Sequence, residues 1–199
     1  MHHGVWETNR FVGVVIYGRG ANDRMSRMLN MTQIECAELV RVALRDHRAP
    51  VTQILAHSIR LLRTSNPGLR ALVSYADPAH NHHGGIYQAG NWLYLGLGTS
   101  NKELVIHGKQ MHLRSVHAAG WKQSLQWIRH HIDPKAYEVT PPRKHRYVYP
   151  LNKQARRQIT KLAKPYPPAV KASTVTRSGP TRESRVRLPV TAPTKQETP

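Results

Sequence analysis

Residues 38–76 read strand, helix, strand, and no other feature restricts the fold as much. "ELVRVAL" alternates, with Val40, Val42 and Leu44 on one face. After "RDHRAP", the run "VTQILAHSIRLLRT" sets Val51, Ile54, Leu55, Ser58, Leu61 and Leu62 on one helical face. Pro50 suits the first turn of that helix, and "SNPG" stops it. "RALVSYA" is then the second strand of a βαβ unit. Its two strands are expected to run parallel, joined by a right-handed crossover. Ligands of open α/β sheets gather at the carboxyl ends of strands. At that place stands "SYADPAHNHHGGIYQAGNWLYLG", residues 74–96, with an acid, three histidines, a glycine pair and four aromatics.

The other segments extend this α/β reading. "FVGVVIYG" is a buried strand ending at glycine, and further strands are expected around "NWLYLGL", "KELVIHG", "KQMHLRSV" and "KHRYVYPL". "GWKQSLQWIRHHI" is a helix with Trp121, Leu125, Ile128 and Ile132 on one face. "LNKQARRQITKLAK" is another, with an apolar stripe at Leu151, Ala155, Ile159 and Leu162. From Pro165 the chain is rich in Pro, Ser and Thr without a period, which predicts a disordered tail. The expected division is a domain over 1–164 and a basic tail over 165–199.

Charge narrows the partner. Lys and Arg number 30 against 11 acids, a net charge of +19. Residues 1–152 hold 19 basic and 9 acidic residues, and residues 153–199 hold 11 and 2. The body is therefore basic in its own right. Such an excess favours polyanions, because each neutralised phosphate releases condensed counterions; a solubility bias of the surface is the bland alternative. A single cysteine, Cys36, excludes an internal disulfide and suits a reducing compartment. No apolar run approaches the roughly 18 residues of a membrane span, and "MHHGVWETNR" lacks the apolar core of a signal peptide. A soluble intracellular protein is expected.

Within residues 74–96, His80, His82 and His83 are the residues that could ligate a metal ion such as iron. They lack the carboxylate or thiolate companions of a typical site, and a solvated loop cluster is the competing reading. One cysteine also excludes the zinc deaminase signature. Cys36 reads as a small buried residue. Asp77, just after a strand and before Pro78, can cap a turn or hold an amine and take its proton. Tyr87 lies in a short helix, "GGIYQAGN", whose glycine start leaves N–H groups free for an anion. It can be a core aromatic or a proton donor to a leaving group.

The order of the βα unit, "SYAD" and "IYQAGNWLYLG" resembles the phage Mom proteins, a divergent branch of the GCN5-related N-acetyltransferase (GNAT) fold. "HLRSV" and "KHRYVYPLNKQARRQI" add to the likeness, which covers roughly residues 5–162. It implies a mixed, strongly twisted sheet flanked by helices. In that fold "SYAD" would close the fifth strand, and the strand and helices that usually precede "HHGVWETNRFVGVVIYG" would be missing. It also implies an enzyme that installs a carbamoylmethyl group on adenine N6 of phage DNA, defeating restriction in the cytoplasm of an infected bacterium. Carried over, Asp77, Tyr87, Tyr75 and Ser74 would be catalytic. His82, His83, Asn91, Trp92, Arg114, Ser115, Arg146, Arg156 and Arg157 would bind base and double-stranded DNA. Arg114 and Ser115 are expected on a strand.

The fold also suggests acetyl-CoA or a related acyl donor. Acetyltransferases of this kind cradle its pyrophosphate in a glycine-rich loop, where this chain reads "RDHRAPVTQ" without glycine. Arg48, Thr52 and Gln53 are then the candidates to hold it, at the helix start. Two other functions compete with DNA modification: N-acyl transfer to a protein or small amine, and nucleic-acid binding without catalysis.

Overall fold

The computed structural model describes residues 1–20, 23–80 and 82–168. In chain order the elements are β1 (His2–Glu7), β2 (Arg10–Gly18), α1 (Arg24–Met28), β3 (Cys36–Leu44), α2 (Val51–Ser65), β4 (Ala71–Ala76), α3 (Gly85–Ala89) and β5 (Leu93–Leu97). They continue with β6 (Glu103–Ile106), β7 (Lys109–His112), α4 (Leu113–Ala118), α5 (Leu125–His131), β8 (Tyr137–Val139), β9 (His145–Pro150) and α6 (Lys153–Thr160). All lie in one compact unit, Met1–Ala169. No described helix is long and apolar enough to cross a membrane.

Six strands form a mixed sheet in the order β1-β2-β3-β4-β9-β5. The β3–β4 pair is parallel, as the βαβ pattern requires, and the other pairs are antiparallel. A smaller sheet, β7-β6-β8, carries α4 and α5. The SYAD segment is therefore on the fourth strand of this chain. The sequence did not announce β1, α1 or β8. Thr8 and Asn9 both have positive φ, the conformation that lets a two-residue turn fold β1 back on β2.

Two cores lie against opposite faces of the large sheet. On one face α2 and α3 cover Leu39, Leu72, Trp92 and Tyr147; on the other α1 and α6 cover Cys36, Val73 and Val148. From α2 the buried residues are Ile54, Leu55, Ser58, Ile59 and Leu62. Full burial of each apolar one contributes on the order of 2 kcal/mol. Leu61, expected on that face, is 58% exposed, and Ile59 takes the place instead.

The alternation expected in β3 also fails, for a local reason. Ile16 pairs with Arg41 but Tyr17 pairs with Leu39, so Val40 is an extra residue in a β-bulge. The bulge changes the phase of the strand. Ala37, Leu39, Val42 and Leu44 pack towards α2, while Val40 is 54% exposed. It also sets Glu38 on the face opposite Val42 and Leu44.

Three further expectations shift. "KQMHLRSV" is a strand only to His112; the His112 imidazole then accepts the Arg114 N–H and caps α4, so Arg114 and Ser115 lie on a helix. The helix with Trp121 begins at Leu125, capped by Ser124, although Trp121, Leu125, Ile128 and Ile132 do share one core. α6 starts at the Asn152 cap and ends at Thr160, leaving Leu162 exposed. Beyond it, the Lys164 N–H donates to the Tyr94 carbonyl and the Tyr166 hydroxyl donates to the Trp92 carbonyl. The segment past Pro165 thus begins docked on β5. The rest of the expected tail, from residue 169, lies outside the described residues.

Candidate active site

β3 and β4 are bonded only from Cys36–Ala71 to Glu38–Val73, although both strands continue. Where they part, Ser74 bridges the gap. Its Oγ lies 2.8 Å from the Leu39 carbonyl oxygen and 2.8 Å from the Tyr87 hydroxyl. A carbonyl can only accept, so the Ser74 proton goes to Leu39 and the Tyr87 proton points at Ser74 Oγ. Ser74 and Tyr87 are buried with Trp92 and Tyr147, whose rings lie 5.1 Å from that of Tyr87. Burial raises the Tyr87 pKa.

Strand alternation puts Tyr75 on the other face, with Val73. That face opens into a cleft of about 490 Å³ lined by Glu38, Tyr75, Lys144 and Arg146, with α1 and the 98–101 and 141–142 segments as its walls. Arg146 is paired with Tyr75 in register, and its guanidinium touches Met28 Sδ. Its Nε is buried without a hydrogen-bond partner among the described residues. Burial raises the Tyr75 pKa, which Arg146 partly opposes and Glu38 reinforces. Glu38 is also pushed up by burial, with Arg114 and Lys144 pulling the other way. Sequence reasoning missed Glu38. The available signal was an acid inside an apolar strand of a chain that has few acids.

Asp77 directly follows β4 and pairs with Lys144 of the cleft wall. Lys144 Nζ donates to its carboxylate at 2.8 Å, the Ala79 N–H at 3.0 Å, and His80 Nδ1 lies 3.7 Å away. Burial would raise its pKa, but these three partners outweigh that and leave it lowered. Asp77 thus caps its turn and stays ionised at the same time. His82 is exposed; the His83 carbonyl accepts from the Tyr147 hydroxyl at 2.8 Å. The His80 and His82 rings are 6.4 Å apart, and no group of three His, Cys, Asp or Glu among the described residues is arranged to hold a metal ion. Cys36 is buried with its thiol pKa pushed up to about 11, an inert side chain.

Thr52, Gln53, Asn91 and Trp92 meet on the opposite face, in a groove of about 340 Å³ between α2 and α3. The ring of Trp92 itself is buried. At the start of α2 the N–H groups of Arg48 and Ala49 donate to the Glu7 carboxylate at 2.9 Å each. The bonds lower the Glu7 pKa, Ala49 foremost. The chain's own carboxylate thus holds the N–H groups of the loop before Pro50, ahead of the first turn of α2. Arg114 and Ser115 are exposed on α4, where Arg114 acts on Glu38, and Arg156 and Arg157 are exposed on α6. Of the residues singled out in the sequence, the cleft thus gathers Tyr75 and Arg146, and Asp77 is tied to its wall through Lys144. The sheet separates them from Ser74 and Tyr87.

The Mom protein family matches residues 1–168. Methylcarbamoylase Mom of Escherichia phage Mu is 26% identical over 174 residues, 84% of this chain and 71% of that protein. The match takes in both sheets, the cleft and α6, and the chain belongs to the Mom protein family.

Proposed function

We propose that this chain is a phage DNA-modifying enzyme that installs a carbamoylmethyl group on the exocyclic N6 of adenine in double-stranded DNA, shielding it from host restriction. The observation that carries the reading is a cation-lined cleft in a chain related to a methylcarbamoylase. Its volume suits one unstacked base, and a base must leave the duplex before its amine can be reached. Arg24, Lys144 and Arg146 in the cleft wall, with Arg114 close by, suit the phosphates on either side of a flipped nucleotide. Asp77 holds the amine by accepting one of its N–H groups. Tyr87 serves the leaving group through the gap between β3 and β4, which Ser74 bridges. Thr52, Gln53 and Asn91 hold the donor on the opposite face, and its activated carbon meets the amine where β3 and β4 part. The reaction takes place in the cytoplasm of the infected cell.

The test is mass analysis of nucleosides from the DNA of bacteria expressing the chain. A new adenosine species heavier by one carbamoylmethyl group is expected. Unmodified DNA alongside an acylated protein or small amine would favour N-acyl transfer instead. Unmodified DNA with tight DNA binding alone would favour a non-catalytic binder.

A further inference from the structure

Two acids line the cleft. Glu103, at its edge, already accepts from Gln110 Nε2 at 2.8 Å. Glu38 stands on the cleft floor, at the last bonded pair before β3 and β4 part, on the face that carries Tyr75 and Arg146. The bulge at Val40 puts it there; an unbroken alternation would have turned it under α2 with Val42 and Leu44. Arg114 from α4, Lys144 just before β9 and Tyr75 from β4 act with it electrostatically, and Arg24 from α1, His112 from β7 and Arg146 from β9 line the same cleft.

We propose that Glu38 is the general base of the modification reaction, accepting the proton that the exocyclic amine releases as its new N–C bond forms. The inference rests on the function proposed above. The donor is of the class bearing an activated carbamoylmethyl carbon. The amine lone pair bonds to that methylene carbon, and the bond from carbon to the leaving group breaks with its electron pair. One amine proton passes to the Glu38 carboxylate and then to solvent. Asp77 suits this step less well. Its carboxylate is held by Lys144 and the Ala79 N–H and its proton affinity is lowered, whereas burial raises that of Glu38. A base works best when its pKa approaches the working pH.

The experiment compares the full chain with Glu38→Gln and Glu38→Asp. Modified adenosine is measured in DNA from expressing cells, rates are followed in extracts of those cells from acid to neutral pH, and duplex affinity is measured on the purified proteins. Glu38→Gln should lose modification by ~10²–10⁴-fold with DNA affinity and thermal midpoint nearly unchanged. The wild-type rate should rise with pH through a pKa above that of an ordinary glutamate and then level off. Glu38→Asp should keep part of the rate with that rising limb displaced. A folded Glu38→Gln protein that retains full modification, or loses it only in step with DNA affinity, overturns the assignment. If Glu38→Gln does not fold, an undisplaced limb in Glu38→Asp overturns it equally. A wild-type chain that leaves adenine unmodified fails at the parent reading, before Glu38 is at issue.

Discussion

Tyr87 offers its proton to a buried serine, and Asp77 offers its charge to a lysine; each arrangement can hold a fold together or run a reaction. The two roles differ in size. Removing the Tyr87 hydroxyl leaves Ser74 still bonded to Leu39, so Tyr87→Phe should cost about 0.5–1.5 kcal/mol, a few degrees of thermal midpoint. Asp77→Asn breaks an ion pair with a half-exposed lysine, worth less than ~1 kcal/mol. Proton donation by Tyr87, or the loss of the grip of Asp77 on the amine, would instead be worth ~10²-fold or more in rate. The expected outcome is that both variants stay folded and bind DNA but lose modified adenine on that scale. Thermal midpoints measured beside adenine yield decide the matter; variants that are stable and fully active would remove both residues from the chemistry. Acid acts on Asp77 with a definite sign. Its folded pKa lies below the ordinary value, so its contribution to stability is present above that value and fades as pH falls through the folded one.

At the scale of elements, α3 is held against the sheet by one glycine. Gly84 has φ +82, and a Cβ there would lie 2.2 Å from the ring of Tyr147, which is wholly buried and cannot give way. Gly84→Ala should therefore destabilise by about 1–3 kcal/mol and disturb the helix that carries Tyr87. A thermal midpoint equal to wild type would show that α3 can shift freely. The join between β3 and β4 has its own pH signature. Glu35 accepts from the Thr32 N–H and hydroxyl and from Arg70, which brings its pKa down to about 2 from an ordinary 4.5, the Thr32 N–H foremost. Its contribution is complete above 4.5 and lost as pH falls towards 2. Glu35→Gln should flatten the acid fall in thermal midpoint across that window; an unchanged slope would show that Glu35 does not set it. The parallel β3–β4 pair was legible because a βαβ pattern is local in sequence and leaves the chain little choice. The bulge at Val40 was not, since it depends on register with β2, which lies far off in the chain. The helical start at Leu113 was hidden for a similar reason: its cap is a histidine ring, outside the usual Ser, Thr, Asp and Asn. Glu38 was missed with the bulge, because the face of one side chain in a strand follows from the phase of the whole strand.

For the whole molecule the governing quantity is charge, and the fold decides where it is presented. α6 buries Ala155 and Ile159 and turns Lys153, Arg156 and Arg157 outward, so these cations are available to a phosphate backbone. Residues 169–199 add six basic and two acidic residues. Either group can supply sequence-independent affinity, and counterion release separates their shares. Taking away one phosphate-neutralising cation lowers the slope of log affinity against log salt by about 0.9 on duplex DNA. Arg156→Ala with Arg157→Ala should therefore weaken binding about equally on every sequence and reduce the slope by about two, if both arginines reach phosphates. Truncation after Pro168 spares Tyr166, whose hydroxyl is bonded to the Trp92 carbonyl, and so tests the charge of residues 169–199 without loosening β5. It should lower affinity and slope while leaving modification intact at low salt, because every residue placed at the site lies upstream. Titrating duplex DNA with both variants at several salt concentrations is the measurement. An unchanged slope for the double variant would mean that α6 faces away from the DNA, and an unchanged slope for the truncation would confine binding to residues 1–168.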